Sequence, residues 1–208
     1  MDQLDYKKEY KDLYLPKKDP VIVTVPSIDF IMIDGEGNPN GEEFALATAA
    51  LYSFSYAVKM SYKSDNIPIG YYKYTVFPLE GVWDLIDKTL LSADKNNFKY
   101  KIMIRQPEFL TVDLFKQFLS ETKKKKKKPN IYLDKVEYGT ISEGLCCQML
   151  HLGSYDSEPA SFEMMEQFYK DHGYKRISHK HREIYLSDPR ETEPCKLKTV
   201  LRYQVEVE

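Results

Sequence analysis

The order of apolar patterns constrains this 208-residue chain more than any other feature: a helical stripe stands between extended segments, and the same order recurs in the second half. From residue 42 to about 61, Phe44, Ala47, Leu51, Phe54, Val58 and Ser61 fall on or near one stripe at helical spacing. Ahead of it, residues 21–25 and 28–33 read as two strand segments broken at Pro26, and residues 34–41 as a loop that enters the helix. Behind it, the aromatic and β-branched run 70–77 reads as a strand, residues 78–81 as a turn leaving it, and residues 99–105 as the next strand.

The second half follows the same grammar. Thr111 is a candidate cap for a helix whose apolar side carries Leu114, Phe115, Phe118 and Leu119. That helix runs into six consecutive lysines, 123–128, before Pro129. Lysines there complement the helix dipole at its C-terminal end, and the chain supplies no matching basic face for a polyanion. Residues 136–137 and 144–151 read as strand, 153–158 as loop and 159–172 as a helix with Phe162, Met165, Glu166 and Tyr169 around its buried edge. Gly173 can close that helix in the left-handed conformation. Two more strands follow, 179–186 and 200–207, separated by the turn-rich 187–190. Each half therefore reads as strand, helix, then two strands. The expected class is α+β, an antiparallel sheet with helices on one face, because the apolar side of each helix needs a sheet to cover it.

Charge excludes some functions. Lys and Arg number 30 against 32 for Asp and Glu, a net charge of -2, so no nucleic-acid partner is expected. The first 19 residues form a leader, a short helix or an irregular wrap, without the apolar run that export requires. The richest apolar stretch, 44–60, is interrupted by Thr48, Ser53 and Ser55, so no membrane span is expected and the cytoplasm is the expected compartment. Cys146 and Cys147 are adjacent and Cys195 is distant, so reduced thiols are expected rather than a disulfide framework. Adjacent cysteines on a strand face opposite ways, and no histidine base is visible for either as a nucleophile. No metal site and no cofactor are expected: the histidines lack zinc spacing, and Gly35 to Gly37 is too short a motif to cradle phosphates. The 17 tyrosines and 10 phenylalanines, with the single Trp83, suit the wall of a pocket for a planar organic ligand, although many tyrosines of this kind simply sit half-buried on strands.

Four segments carry a resemblance: residues 181–190 followed by Pro194, Leu197, Lys198, Thr199, Leu201 and Arg202; residues 78–83; residues 103–107; and residues 151–155 leading to Glu158 and Pro159. Together they resemble the GyrI-like small-molecule-binding family from about residue 20 to 205. The resemblance implies two pseudo-symmetric β-α-β-β units within a single domain, 20–208, with halves of about 20–110 and 111–208 and a ligand cleft between them. It also implies kinship with effector-binding domains of multidrug-responsive regulators and with a gyrase-inhibitory protein, which leaves a protein partner open as an alternative. No helix-turn-helix segment precedes the domain, so direct DNA contact is not expected. Free-standing relatives of this type hydrolyse electrophilic cyclopropane-containing natural products, and that implies a reaction for the pocket.

Glu183 is the leading candidate residue. A period of two places His181, Glu183 and Tyr185 on one face of the strand and Ile184 and Leu186 on the other. If the aliphatic face packs under the helices, Glu183 points to the concave side. A carboxylate among aromatic rings is poorly solvated, which strengthens it as a general base or draws it to a cationic ligand. An ordinary solvent-facing glutamate is the plain alternative. Tyr185 can donate to a carbonyl oxygen as charge builds on it, so Glu183 and Tyr185 are the catalytic candidates. Trp83 offers a face for a planar or cationic ligand, or anchors a core. Tyr72 and Tyr74 share one strand face, with Tyr71 and Phe77 on the other, so one set lines the cleft. Glu80 is the natural second carboxylate, His181 lies beside Glu183, and Met149 is either pocket floor or core.

Overall fold

The computed structural model describes residues 3–90, 94–125 and 130–208. In chain order the elements are the single turns α1 (Tyr6–Glu9) and α2 (Lys11–Tyr14), β1 (Val21–Glu36), α3 (Glu42–Lys59), β2 (Leu79–Leu85), β3 (Phe98–Arg105), α4 (Val112–Lys124), β4 (Glu137–Leu152), α5 (Glu158–Asp171), β5 (Tyr174–Arg176), β6 (His181–Tyr185) and β7 (Lys198–Val207). The fold is α+β with antiparallel strand pairing, as the pattern of the sequence implies. Two compact units divide the chain: residues 1–5, 28–77 and 85–141 form the first, and 6–27, 78–84 and 142–208 the second.

In the first unit, Phe30 to Glu36 of β1 pair with Lys99 to Arg105 of β3. α3 buries Ala47, Ala50, Leu51, Phe54 and Val58, the stripe expected of it. Its Phe54 ring meets Phe115 of α4 at 5.3 Å between centroids. Thr111 caps α4, its hydroxyl accepting the Leu114 N–H at 3.3 Å. Lys123 pairs with Asp134 at 2.6 Å, while residues 126–128 of the lysine run and Pro129 lie outside the described residues.

In the second unit, β6 pairs with β2 on one edge and with β7 on the other, and β7 also pairs with β4 and β5. α5 lies on one face of this sheet, where Met165 and Tyr169 pack with Cys147, Met149, Leu201, Tyr203 and Val205. Residues of the leader cover the other face: Tyr14 is 1% exposed, and the Leu13 carbonyl accepts from Arg202 at 2.7 Å.

Several sequence expectations are corrected. β1 runs through Pro26 without a break, because an extended strand tolerates proline where its missing N–H has no ladder partner to serve. Residues 70–77 form no strand; Tyr74 makes a single bridge to Leu4, and Gly70, with a φ of 79°, turns the chain ahead of it. Residues 79–85, in contrast, form strand β2 rather than a turn. Glu166 lies on the exposed side of α5, paired with Lys170 at 2.5 Å.

Candidate functional site

The site is built by the register of β2 on β6. Gly81 stands opposite Glu183 and Trp83 opposite His181. Residues facing each other across an antiparallel pair project to the same side, so Gly81, Trp83, His181, Glu183 and Tyr185 share one face. Strand periodicity alone groups the last three, and the structure adds β2. This is the face that α5 covers: Phe162 of α5 meets the His181 ring edge-on, with centroids 4.9 Å apart. The expectation that the aliphatic side of β6 packs under the helices is therefore reversed, because Met149, Leu201 and Tyr203 extend the Glu183 side into an apolar surface that α5 needs.

A chain of hydrogen bonds ends on Glu183. Trp83 Nε1 donates to the Tyr185 hydroxyl at 2.8 Å, which donates in turn to Glu183 Oε2 at 2.8 Å. His181 Nε2 lies 2.9 Å from Glu183 Oε1. Both carboxylate oxygens are held, yet each keeps lone-pair capacity for one more donor. Gly81 makes this geometry possible: a Cβ there would stand 2.8 Å from Trp83 Nε1 and 3.3 Å from the Tyr185 hydroxyl. Burial, then the charge of Glu183, pushes the Tyr185 phenol well above its ordinary pKa, so it stays a donor. Because its proton goes to Glu183, Tyr185 positions that carboxylate, and the expected donation to a substrate carbonyl requires another group.

A second carboxyl completes the site, and it is Glu158 rather than Glu80. His151 Nδ1 lies 2.8 Å from Ser161 Oγ and its Nε2 lies 3.0 Å from the Ser154 carbonyl. These contacts pin the turn that enters α5. Gly153, with a φ of 141°, makes that turn possible, since a Cβ would crowd Ser157 Oγ at 2.7 Å. Glu158, the first residue of α5, is thereby carried against Glu183, and it is buried to 6% exposure. Burial, then Glu183 through charge and a hydrogen bond, then Asp156, pushes Glu158 up to about 9. Tyr155 closes the outer edge, its ring T-shaped to Tyr185 with centroids 6.0 Å apart and 38% of the residue exposed. Burial and then Glu183, Glu158 and Asp188 push its phenol up to about 12. Tyr155 and Glu158 lie in a segment that carries the family resemblance and Phe162 on the expected buried edge of α5, but none of the three is a site candidate from sequence alone. The available signal was an acidic residue followed by proline at a helix entry, where both are favoured.

Glu80 points to the opposite face of the sheet and is 1% exposed. It accepts Arg182 Nη1 at 2.7 Å and the Tyr14 hydroxyl at 3.0 Å. Arg182 Nε also reaches Glu143 at 2.8 Å, and Arg202 reaches Glu143 at 3.3 Å and Gln148 Oε1 at 2.9 Å. Burial alone would raise the Glu143 pKa, but Arg182 and Arg202 outweigh it and hold the carboxyl below its usual range. This network is built to stay charged, and its contacts account for Glu80 without a ligand. Met149 takes the core alternative, in the cluster beneath α5. Tyr72 and Tyr74 belong to the first unit and do not divide from Tyr71 by strand face: all three rings meet Phe109, at 5.4, 6.1 and 5.1 Å respectively. Tyr72 donates to Glu108 at 2.5 Å, whereas the buried Tyr74 hydroxyl has no partner. Among the described residues no three His, Cys, Asp or Glu side chains gather as a metal site, and no helix is long and apolar enough to cross a membrane.

Comparison with known proteins bears on this geometry. The model of the GyrI-like small molecule binding domain matches residues 18–206. Among solved structures, a hydrolase from Listeria innocua is 35% identical, with 98% of this chain and 100% of that one covered and a TM-score of 0.89. An uncharacterized conserved protein from Listeria innocua is 37% identical over 98% and 100% of the two chains, with a TM-score of 0.91. The EcmrR C-terminal domain, 12% identical with a TM-score of 0.55 over 91% and 98% of the chains, shares the fold alone. None of the curated proteins matches the chain at a comparable level.

Proposed function

Since the chain belongs to the GyrI-like small-molecule-binding family, we propose that it is a cytoplasmic protein that captures amphiphilic aromatic or cationic molecules at Glu183 and adds water to those bearing an electrophilic cyclopropane. The observation that carries this reading is a buried carboxylate, Glu183, fixed by Tyr185 and His181 and set beside Trp83. Such a carboxylate keeps lone pairs for a water that it can orient and deprotonate. In the reaction Glu183 takes a proton from water while the hydroxyl oxygen bonds to a cyclopropane carbon. The strained carbon–carbon bond breaks, and its electron pair passes to a conjugated carbonyl, which then takes up a proton. With the Tyr185 proton committed to Glu183, the exposed Tyr155 hydroxyl is the phenol left to polarise that carbonyl. Ring strain and orientation supply much of the drive, so no nucleophilic triad is required.

A second reading, capture without turnover, has its own support, because both oxygens of Glu183 already hold hydrogen bonds. One experiment separates the two. The purified protein is incubated with cyclopropane-containing electrophiles and inert aromatic cations, and the recovered ligands are weighed by mass spectrometry. Gain of one water on the electrophiles, lost in Glu183→Gln, supports the hydrolase; ligands retained unchanged support capture. Turnover that survives Glu183→Gln removes Glu183 as the base, and neither turnover nor retention removes both readings.

A further inference from the structure

Glu158 and Glu183 are two carboxyls in contact within one buried site, and no Lys or Arg is among the groups found to act on Glu158. Glu183 has its two donors, Tyr185 and His181. Glu158 Oε1, by contrast, is buried with no hydrogen-bond partner, on a residue 6% exposed. Two adjacent carboxylates in a low-dielectric site repel, and a proton on Glu158 removes that repulsion. The groups facing the pair are Tyr185 and His181 from β6, Tyr155 and Asp156 from the turn before α5, and Trp83 from β2 through Tyr185. The carboxylate of Asp156 adds to the repulsion of a second negative charge, while the phenols stay neutral. A permanent positive charge arriving over the rings of Trp83 and Tyr155 supplies what that proton supplies.

We propose that this site exchanges a proton for a cation: a permanently charged organic monocation binds against Glu183, and Glu158 releases its proton to the solvent. The proposal rests on the reading that the site takes small molecules, and it names the charge class selected. The released proton goes to the buffer and no covalent bond changes. A neutral molecule of the same shape gives no reason for release, so it binds with the proton in place.

Titration calorimetry of the full chain with tetraphenylphosphonium, and with neutral triphenylphosphine oxide, in buffers of different ionisation heat counts the protons. The expected result is release of close to one proton per cation bound and none per neutral ligand. Affinity for the cation then rises by up to about tenfold per pH unit between about pH 7 and about pH 8.5, and Glu158→Gln binds it with no release and no such slope. As a check that does not depend on the variant, infrared difference spectra of the wild-type protein should lose a protonated-carboxyl band when the cation is added. Cation binding without proton release, or release that persists in Glu158→Gln, overturns the exchange while leaving small-molecule binding intact. Binding of the neutral ligand with exclusion of the cation overturns the charge selection in the same way, and failure to bind either overturns both.

Discussion

Trp83 Nε1 stands 2.8 Å from the Tyr185 hydroxyl, across a pair of strands joined by a register that sets Trp83 opposite His181. The indole has one donor, and it is spent on an oxygen that in turn donates to Glu183. The aromatic wall and the carboxylate are thus one hydrogen-bonded unit. Trp83→Phe keeps a ring but removes the donor, so ligand affinity should fall by about 0.5–1.5 kcal/mol, and Tyr185→Phe should cost less in that background than in the wild type. Calorimetric affinities of the two single variants and the double variant check this coupling. Additive losses would mean that the relay does not transmit to Glu183. The chain has a single tryptophan, so quenching of its fluorescence by a bound aromatic cation reports on this site directly.

Gly81→Ala places a methyl where there is no room, 2.8 Å from Trp83 Nε1. Either the indole moves or the strand does, and overpacking of this kind costs about 1–3 kcal/mol. Denaturant unfolding should show that loss, and ligand affinity should fall with it because the Trp83–Tyr185 bond is the one displaced. Full stability with full affinity would mean that the site is looser than its geometry implies.

The outcome at each element shows what one sequence can convey. His181, Glu183 and Tyr185 were legible as a set because residues two apart on a strand share a face whatever the strand pairs with. Glu158 was not, since its approach to Glu183 is fixed by a turn that His151 pins and by a helix packed across the sheet. Glu80 is the natural second carboxylate in the sequence, which carries no distance between it and Glu183; one residue of register puts it on the other face, with Arg182. Residues 70–77 have strand composition, but composition cannot supply a neighbouring strand, and the structure gives Tyr74 one bridge only. The helices were clearer, because the buried stripe of α3 is a local period.

The pH dependence of stability should carry the signature of Glu158. Its pKa is raised from 4.5 to about 9, so between those values the native state holds a proton that the unfolded chain has lost. Stability from this group is full at low pH and declines as pH rises through that window, at a limiting slope of about 1.4 kcal/mol per pH unit. Glu158→Gln cannot titrate. Its unfolding free energy relative to wild type should therefore climb between about pH 6 and about pH 9. A difference that stays constant with pH would show that Glu158 titrates alike in both states.

Arg182 carries the opposite sign of dependence, through its partners. It is 2% exposed and bonds Glu80 and Glu143 at 2.7 and 2.8 Å, and the pair of arginines holds Glu143 below its usual range. A carboxyl depressed in the native state contributes stability that is present above its unfolded pKa and is lost as pH falls through its folded pKa, so acid should weaken this network. Arg182→Met removes a charge from between two buried carboxylates and leaves Arg202 to answer for Glu143 alone. The expected loss is about 3–5 kcal/mol, the range for a buried pair broken on one side. Arg182→Met combined with Glu80→Leu should recover part of that loss, because it withdraws the charge left without its partner. Chemical denaturation of both variants measures the recovery; a double variant no more stable than Arg182→Met would mean that Glu80 is held by Tyr14 well enough to stand without the arginine.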